Sequence, residues 1–450
     1  MEKFKKIWFL FFMVLLSVPM IQNFTGWFHE KPLNGAYIPA VKPKISIKSI
    51  WNETYQDSCI KYIEENIGFH NFLVRFNNQM IFSVLRESPI KGPVIGKDGV
   101  LFEESYIISY LGRTFIGDEE IENNTNNLLA TQEILKTKGV NLIIIFSPGK
   151  ASYYPELIPD KYKPSKKSKN NYEAYMENFN KKGINIIDLN SYIVSMKDTA
   201  TYEIYCDLGA HWTIWAASIA MDTVIKYMEN ITNKDYADFS ILKMETPDTL
   251  RNQDDDLYKT MNLLFYPPYK KISYPVLKFN NGKEKIKPKV LAISDSYWWT
   301  IYAESVAIPQ NIFSNGGFWF YNKTVYPVRN PVKNVDELDY KQEIESQDFV
   351  FLVTSEATNH LFPYDFCEKY LITYESEFIN KTISDTLTTV DSLYLEFRNR
   401  EINKIVKEIN ANEKWKNKII IQAEELGVDL DYMILQNADY TYKLRAGVIK

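Results

Sequence analysis

Four continuous apolar runs, each ending in a polar cluster, constrain this chain most. They are 140–148 (VNLIIIFSP), 184–189 (INIIDL), 289–296 (KVLAISDS) and 348–356 (DFVFLVTSE). Apolar runs without polar alternation suit strands buried on both faces. Residues 119–138, 172–182 and 213–228 carry helical periodicity and fall between these runs. Strands alternating with helices predict an α/β fold, a mostly parallel sheet with helices on both faces. In such sheets ligands bind beyond the carboxyl ends of the strands. Those ends read Ser147-Pro148-Gly149-Lys150, Asp188, Ser294-Asp295-Ser296 and Thr354-Ser355-Glu356.

The N-terminus follows a different grammar. Lys3, Lys5 and Lys6 precede the apolar run 7–20, and Phe24, Trp27 and Phe28 follow it. A positive flank, an apolar core and interfacial aromatics form the pattern of a signal or anchor. With no small-residue cleavage site evident, an uncleaved signal anchor over 1–28 is expected. The rest of the chain would then lie outside the cytoplasm, periplasmic or at the cell surface. Residues 29–50, with Pro32, Pro39 and Pro43, read as an extended linker, and 50–85 as helical. Asp98-Gly99 between two apolar runs signals a hairpin. The tail from Ser392 onward reads as helical, with Trp415, Ile419, Ile420, Ala423 and Leu426 on one stripe.

Composition narrows the function. The 450 residues allow more than one domain, and 45% apolar with 24% charged residues excludes a disordered or polytopic membrane chain. A net charge of −5 argues against nucleic acid as partner. Cys59, Cys206 and Cys367 are too few and too scattered for a disulfide framework or a zinc site. No metal or cofactor is expected.

Of the four histidines only His211 has a distinctive setting, CDLGAHWT just before a helical stretch. A serine hydroxyl needs a base within hydrogen-bond reach, and His is the usual one near neutral pH. Ser296, at the tip of a buried run, is the candidate nucleophile, with Ser294 second. Asp207 is the candidate carboxylate to orient His211, with Glu203 weaker. Asp295 reads as a turn or capping residue. Lys150 and Asn359, on strand-end loops, are candidate substrate contacts. Trp212, Tyr297, Trp298 and Trp299 could stack on a ligand or belong to the core.

These segments carry a family resemblance. AISDSYW (292–298) looks like the Gly-Asp-Ser block of SGNH hydrolases, and GAHWT (209–213) like the Asp-x-His-Trp block of the alginate O-acetyltransferase family. His211 precedes Ser296, the permuted order of polysaccharide acetyltransferases. VIGKDGVLF (94–102), FSPGKASYYPELIP (146–159) and LVTSEATNHLF (352–362) resemble further blocks of that family. Two positions depart from it: the family's orienting Asp falls on Gly209, and Ser294 stands where the Ser block begins with Gly. The resemblance implies a three-layer α/β/α, flavodoxin-like SGNH domain over 94–391. An N-terminal helical region over 29–93 precedes it and a helical extension over 392–450 follows.

It also implies function. Ser296 would be acetylated and then attacked by a sugar hydroxyl of an exported or cell-surface polysaccharide, with His211 moving the protons. The acetyl donor would come through a membrane-bound O-acyltransferase partner. The alternatives are an esterase or deacetylase using water, and a glycan-binding assembly protein that has lost activity with the Asp at 209.

Overall fold

The computed structural model describes residues 2–35, 39–163, 167–251, 253–303, 305–327, 333–382 and 388–449. Its strands are β1 (Pro93–Ile95), β2 (Leu101–Glu103), β3 (Asn141–Phe146), β4 (Ile186–Asp188), β5 (Asp238–Glu245), β6 (Tyr274–Asn280), β7 (Val290–Ser294), β8 (Phe318–Phe320), β9 (Thr324–Tyr326) and β10 (Phe349–Thr354). The chain divides into two units. One is Met1–Glu104 with Tyr205–Ala210 and Thr249–Lys271; the other is Ser105–Ile204 with His211–Asp248 and Ile272–Lys450.

The larger unit is built on a six-stranded sheet in the order β4-β3-β10-β7-β8-β9. All neighbours are parallel except the edge pair β8–β9. The four apolar runs supply β3, β4, β7 and β10. Every residue of β7 and β10 is buried, which is why these strands show no polar alternation. Successive side chains point to opposite faces of a strand. Leu142, Ile144 and Phe146 of β3, Leu291 and Ile293 of β7, and Val350 and Leu352 of β10 share one core with Ile134, Tyr175 and Phe179 from the helices Asp118–Thr137 and Asn171–Lys182. On the opposite face Phe351 meets Trp298 and Phe313. The register brings Thr354 opposite Phe146, Val353 opposite Ser294 and Phe146 opposite Asp188. The polar clusters therefore share one edge. Two features were not read from the sequence: the antiparallel pair β5–β6 and the outer strands β8 and β9. β5 is largely exposed and short β8 and β9 have no long apolar run, so hydrophobic patterning gives little signal for them.

The smaller unit holds a 24-residue apolar helix, Glu2–Thr25, with mean hydropathy 1.9 and no buried residue. By length and composition it can cross a membrane. The helices Thr54–Asn66 and His70–Met80 follow it. The Asp98-Gly99 turn closes an antiparallel pair, β1–β2, with Asp98 and Gly99 both at positive φ (58° and 81°). The Leu101 N–H donates to the Asp207 carbonyl at 2.7 Å, so this hairpin braces the loop before residue 210.

The tail forms three helices, Thr389–Ala411, Glu413–Leu426 and Leu430–Arg445. Ile419 and Ala423 of the expected stripe are buried with Ile405, Ile434 and Tyr442, whereas Leu426 is exposed. A buried polar group fastens the tail. Glu375, fully buried, accepts from Arg398 Nε and Nη2 at 3.0–3.1 Å and from the Tyr394 hydroxyl at 2.6 Å. Burial and the neighbouring Tyr442 and Glu375 push the Tyr394 hydroxyl far above its usual pKa. A buried pair is costly to break because the remaining charge loses its partner. Arg398→Leu should therefore lose about 3–5 kcal/mol in urea unfolding. The double change Arg398→Leu with Glu375→Leu should lose less than Arg398→Leu alone.

Candidate active site

Ser296 follows β7 at the carboxyl edge of the sheet, where the chain turns into the short helix Trp298–Tyr302. Asp295 fixes that turn. Its fully buried carboxylate accepts the Tyr297 N–H at 3.0 Å, the Ser355 N–H at 2.8 Å and the Thr358 hydroxyl. Asp295 thus does more than cap a turn: it ties the end of β7 to the end of β10. Ser294 is wholly buried, while Ser296 is half-buried and next to the edge.

His211 is placed by the start of the helix Ile214–Thr232. Thr213 caps that helix, its Oγ1 accepting the Ala216 N–H at 3.2 Å and donating to the Glu203 carbonyl at 2.8 Å. The Thr213 N–H donates to the Ile204 carbonyl at 2.8 Å. An N-cap threonine is a local sequence signal, so His-Trp-Thr before an apolar periodic run already marks where the loop ends. His211 Nε2 lies 2.8 Å from Ser296 Oγ, and its ring packs on Tyr297 with centroids 5.3 Å apart. Trp212 packs on the same Tyr297 at 5.3 Å and donates its indole N–H to the Tyr297 carbonyl at 3.4 Å. The two motifs therefore interlock through Tyr297.

The structure brings the other expected site residues into different roles. Trp212, Tyr297 and Trp298 are all buried. Their rings are occupied by packing around His211 and β10, so they do not offer faces to a sugar in this structure. Trp299 is half-buried among Phe318, Tyr302 and Tyr326. Lys150 and Asn359 are also buried; Asn359 Oδ1 accepts from Asn171 Nδ2 at 3.5 Å. Asp207 accepts the Lys270 N–H at 2.9 Å through its carboxylate. No described group of His, Cys, Asp and Glu side chains clusters to hold a metal ion.

Position 209 is explained by space. A Cβ on Gly209 would lie 2.6 Å from the Asp254 carbonyl oxygen and 2.9 Å from that of Gln253. The next residue, Ala210, donates its N–H to Asp256 Oδ1 at 2.9 Å. The segment 253–256 thus occupies the volume that an Asp at 209 would need. Backbone carbonyls cannot swing aside as a flexible side chain can. Gly209→Ala should cost about 1–3 kcal/mol through overpacking, read from urea unfolding.

Glu356, at the end of β10, is a feature sequence reading passed over as one member of a polar strand end. Its carboxyl accepts the Ser152 N–H at 3.2 Å and the Ser152 hydroxyl. It sits so close to Gly149 that a Cβ there would lie 1.9 Å from Glu356 Oε2. Complete burial raises its pKa from 4.5 to about 7, against the lowering effect of the Ser152 hydrogen bonds. Below pH 4.5 the group is neutral in both folded and unfolded chains. As pH rises to about 7, only the unfolded chain releases its proton, so stability falls across that window and levels off above it. The loss is bounded at about 3 kcal/mol. Glu356→Gln should remove this fall, seen as a flatter dependence of Tm on pH than in the wild type.

The family model described as SGNH hydrolase-like domain, acetyltransferase AlgX, matches residues 94–263. That segment contains Lys150, Asp207, Gly209, His211 and Trp212 and ends before Ser296. No curated protein matches the chain by sequence. Similar solved structures include the O-acetyltransferase domain of AlgJ from Pseudomonas putida, at 14% identity over 62% of this chain and 99% of that one, TM-score 0.41. AlgX from Pseudomonas aeruginosa shares 12% identity over 61% of this chain and 67% of that one, TM-score 0.39. PatB1 from Bacillus cereus shares 12% over 58% of this chain and 95% of that one, TM-score 0.34. Residues 94–263 are thus similar to the SGNH hydrolase-like domain of the AlgX acetyltransferase family.

Proposed function

We propose that the chain is an O-acetyltransferase that modifies hydroxyls of an exported or cell-surface polysaccharide. The observation that carries this reading is the 2.8 Å approach of His211 Nε2 to Ser296 Oγ at the carboxyl edge of the sheet. A nucleophile and a base at that distance can open and close an acyl-enzyme. Ser296 Oγ attacks the acetyl carbonyl of the donor while His211 Nε2 takes the hydroxyl proton. The C–O or C–S bond to the donor breaks, and the leaving group receives that proton. A sugar hydroxyl then attacks the acetyl-Ser296 ester. His211 takes the proton of the sugar hydroxyl and returns it to Ser296 Oγ as the ester bond breaks.

The helix Glu2–Thr25 is read as a signal anchor that holds the catalytic unit outside the cytoplasm. A membrane-bound O-acyltransferase would then supply the acetyl group to that side. For the carboxylate that orients the imidazole, position 209 has no room. The candidate is Asp207. Asp207→Asn should lower kcat and move the acid limb of the pH–rate profile while KM stays put.

The test uses the full chain in detergent with a chromogenic acetyl ester. Ser296→Ala and His211→Ala should each lower turnover by about 10⁴-fold or more. Oligosaccharide acceptors should raise the rate of ester consumption and appear as acetylated product. Unchanged turnover in Ser296→Ala removes the proposed nucleophile. Consumption that yields only free acetate at every acceptor concentration moves the reading to an esterase.

A further inference from the structure

The smaller unit presents an apolar surface that the catalytic reading does not use. In the helix Thr54–Asn66 no residue is buried, and Ile60 and Ile63, with Ile67 just beyond its end, are exposed on one stripe. In His70–Met80 the exposed residues Phe72, Leu73, Phe76 and Met80 share another stripe. Spacings of three, four, seven and eight place such residues on one helix face. Soluble surfaces rarely leave this much contiguous apolar area to water.

The polar sides of the same helices are already engaged. The Phe72 N–H donates to Glu30 Oε1 at 2.8 Å. Arg75 donates to the carbonyls of Lys31 and Pro32 at 2.9 and 2.7 Å, and Glu65 Oε2 accepts the Ala40 N–H at 2.6 Å. Glu30, Lys31, Pro32 and Ala40 thus lie along their polar sides, and the apolar stripes remain outward.

The position of the pair along the apolar helix selects the occupant. Gly68, between the two helices, is buried against the end of Glu2–Thr25. A Cβ there would lie 2.1 Å from the Pro19 carbonyl oxygen, 2.8 Å from Gln22 Cβ and 2.9 Å from the Asn23 N. Only glycine permits that approach. Gln22 also folds the following chain back, donating to the Phe28 carbonyl at 2.6 Å and accepting its N–H at 3.1 Å. Phe28 in turn packs against Phe69, centroids 6.0 Å apart. The helix pair is therefore fastened at residues 19–23, where a span beginning near residue 3 reaches the far headgroup region.

We infer that the helices Thr54–Asn66 and His70–Met80 lie in the membrane interface, with Ile60, Ile63, Phe72, Leu73, Phe76 and Met80 against the lipid of the leaflet that Glu2–Thr25 leaves. The inference rests on the reading of that helix as a membrane span. Amphipathic helices bind there by burying the apolar face at the headgroup–acyl boundary. The pair gives the chain a second, broad contact with the bilayer beside the span Glu2–Thr25. It sets the smaller unit's height at the surface instead of leaving it on a loose tether.

Depth measurement on the full chain in phosphatidylcholine vesicles tests this. In a Cys59→Ser background, where the remaining Cys206 and Cys367 are buried, an environment-sensitive fluorophore is placed by Leu10→Cys, Ile63→Cys, Phe76→Cys or Ser58→Cys. Ser58 lies on the face opposite Ile60 and Ile63. Lipids carrying a nitroxide near the headgroup should quench positions 63 and 76 at least about twofold more than position 58. Lipids with a nitroxide near the chain end should quench position 10. Equal, weak quenching at 58, 63 and 76 while position 10 is quenched overturns the interfacial surface and leaves the span standing. No quenching at position 10 overturns the span and the inference with it.

Discussion

The buried carboxylate of Asp295 is the interaction on which the site depends. It accepts two backbone N–H groups and a hydroxyl from residues on two different strand ends. A buried carboxylate in that position is tolerated because donors surround it, and leaving any of them unmade would be costly. The consequence is geometric. The turn after β7 is held against the loop after β10, so Ser296 Oγ has one place to be. Tyr297, whose N–H is one of those donors, then serves as the surface on which His211 and Trp212 pack. One carboxylate next to Ser296 thus sets Ser296 and, through the following residue, His211.

The same edge shows how neighbouring strand ends are coupled. β10 lies at the centre of the sheet, with β3 on one side and β7 on the other. Its exit carries Ser355, which meets Asp295, and Glu356, which meets Ser152 and lies over Gly149. The loops after β3, β7 and β10 are therefore cross-braced by two buried carboxyl groups. Glu356 differs from Asp295 in its donors. Among the described residues Ser152 supplies them, through its N–H and its hydroxyl, and burial keeps the Glu356 pKa raised to about 7.

Much of this was legible in the sequence, for identifiable reasons. Parallel strands inside the sheet leave nearly uninterrupted apolar runs, so the runs locate β3, β4, β7 and β10 within a residue or two. Ser296 stood out at the end of such a strand, and His211 at the junction of a loop with an apolar helix, each beside an unusual neighbour. What escaped was whatever depends on tertiary contact. Asp295 read as a capping residue because its second partner, Ser355, is 60 residues away. Trp212, Tyr297 and Trp298 read as possible sugar platforms because aromatic residues look alike whether they pack or stack. Gly209 read as a missing Asp, since nothing local announces that the backbone at 253 and 254 fills its side-chain volume. The outer strands β8 and β9 escaped because strands of three residues are too short to leave a periodic trace.

The most direct measurement is the site of covalent acetylation. The full chain is mixed with an activated acetyl ester, quenched in acid and mapped by peptide mass. The account predicts one acetyl group on the peptide containing Ser296, absent from Ser296→Ala and formed far more slowly in His211→Ala. Acetyl on a different residue at wild-type rate, or turnover that persists undiminished in Ser296→Ala, would contradict it.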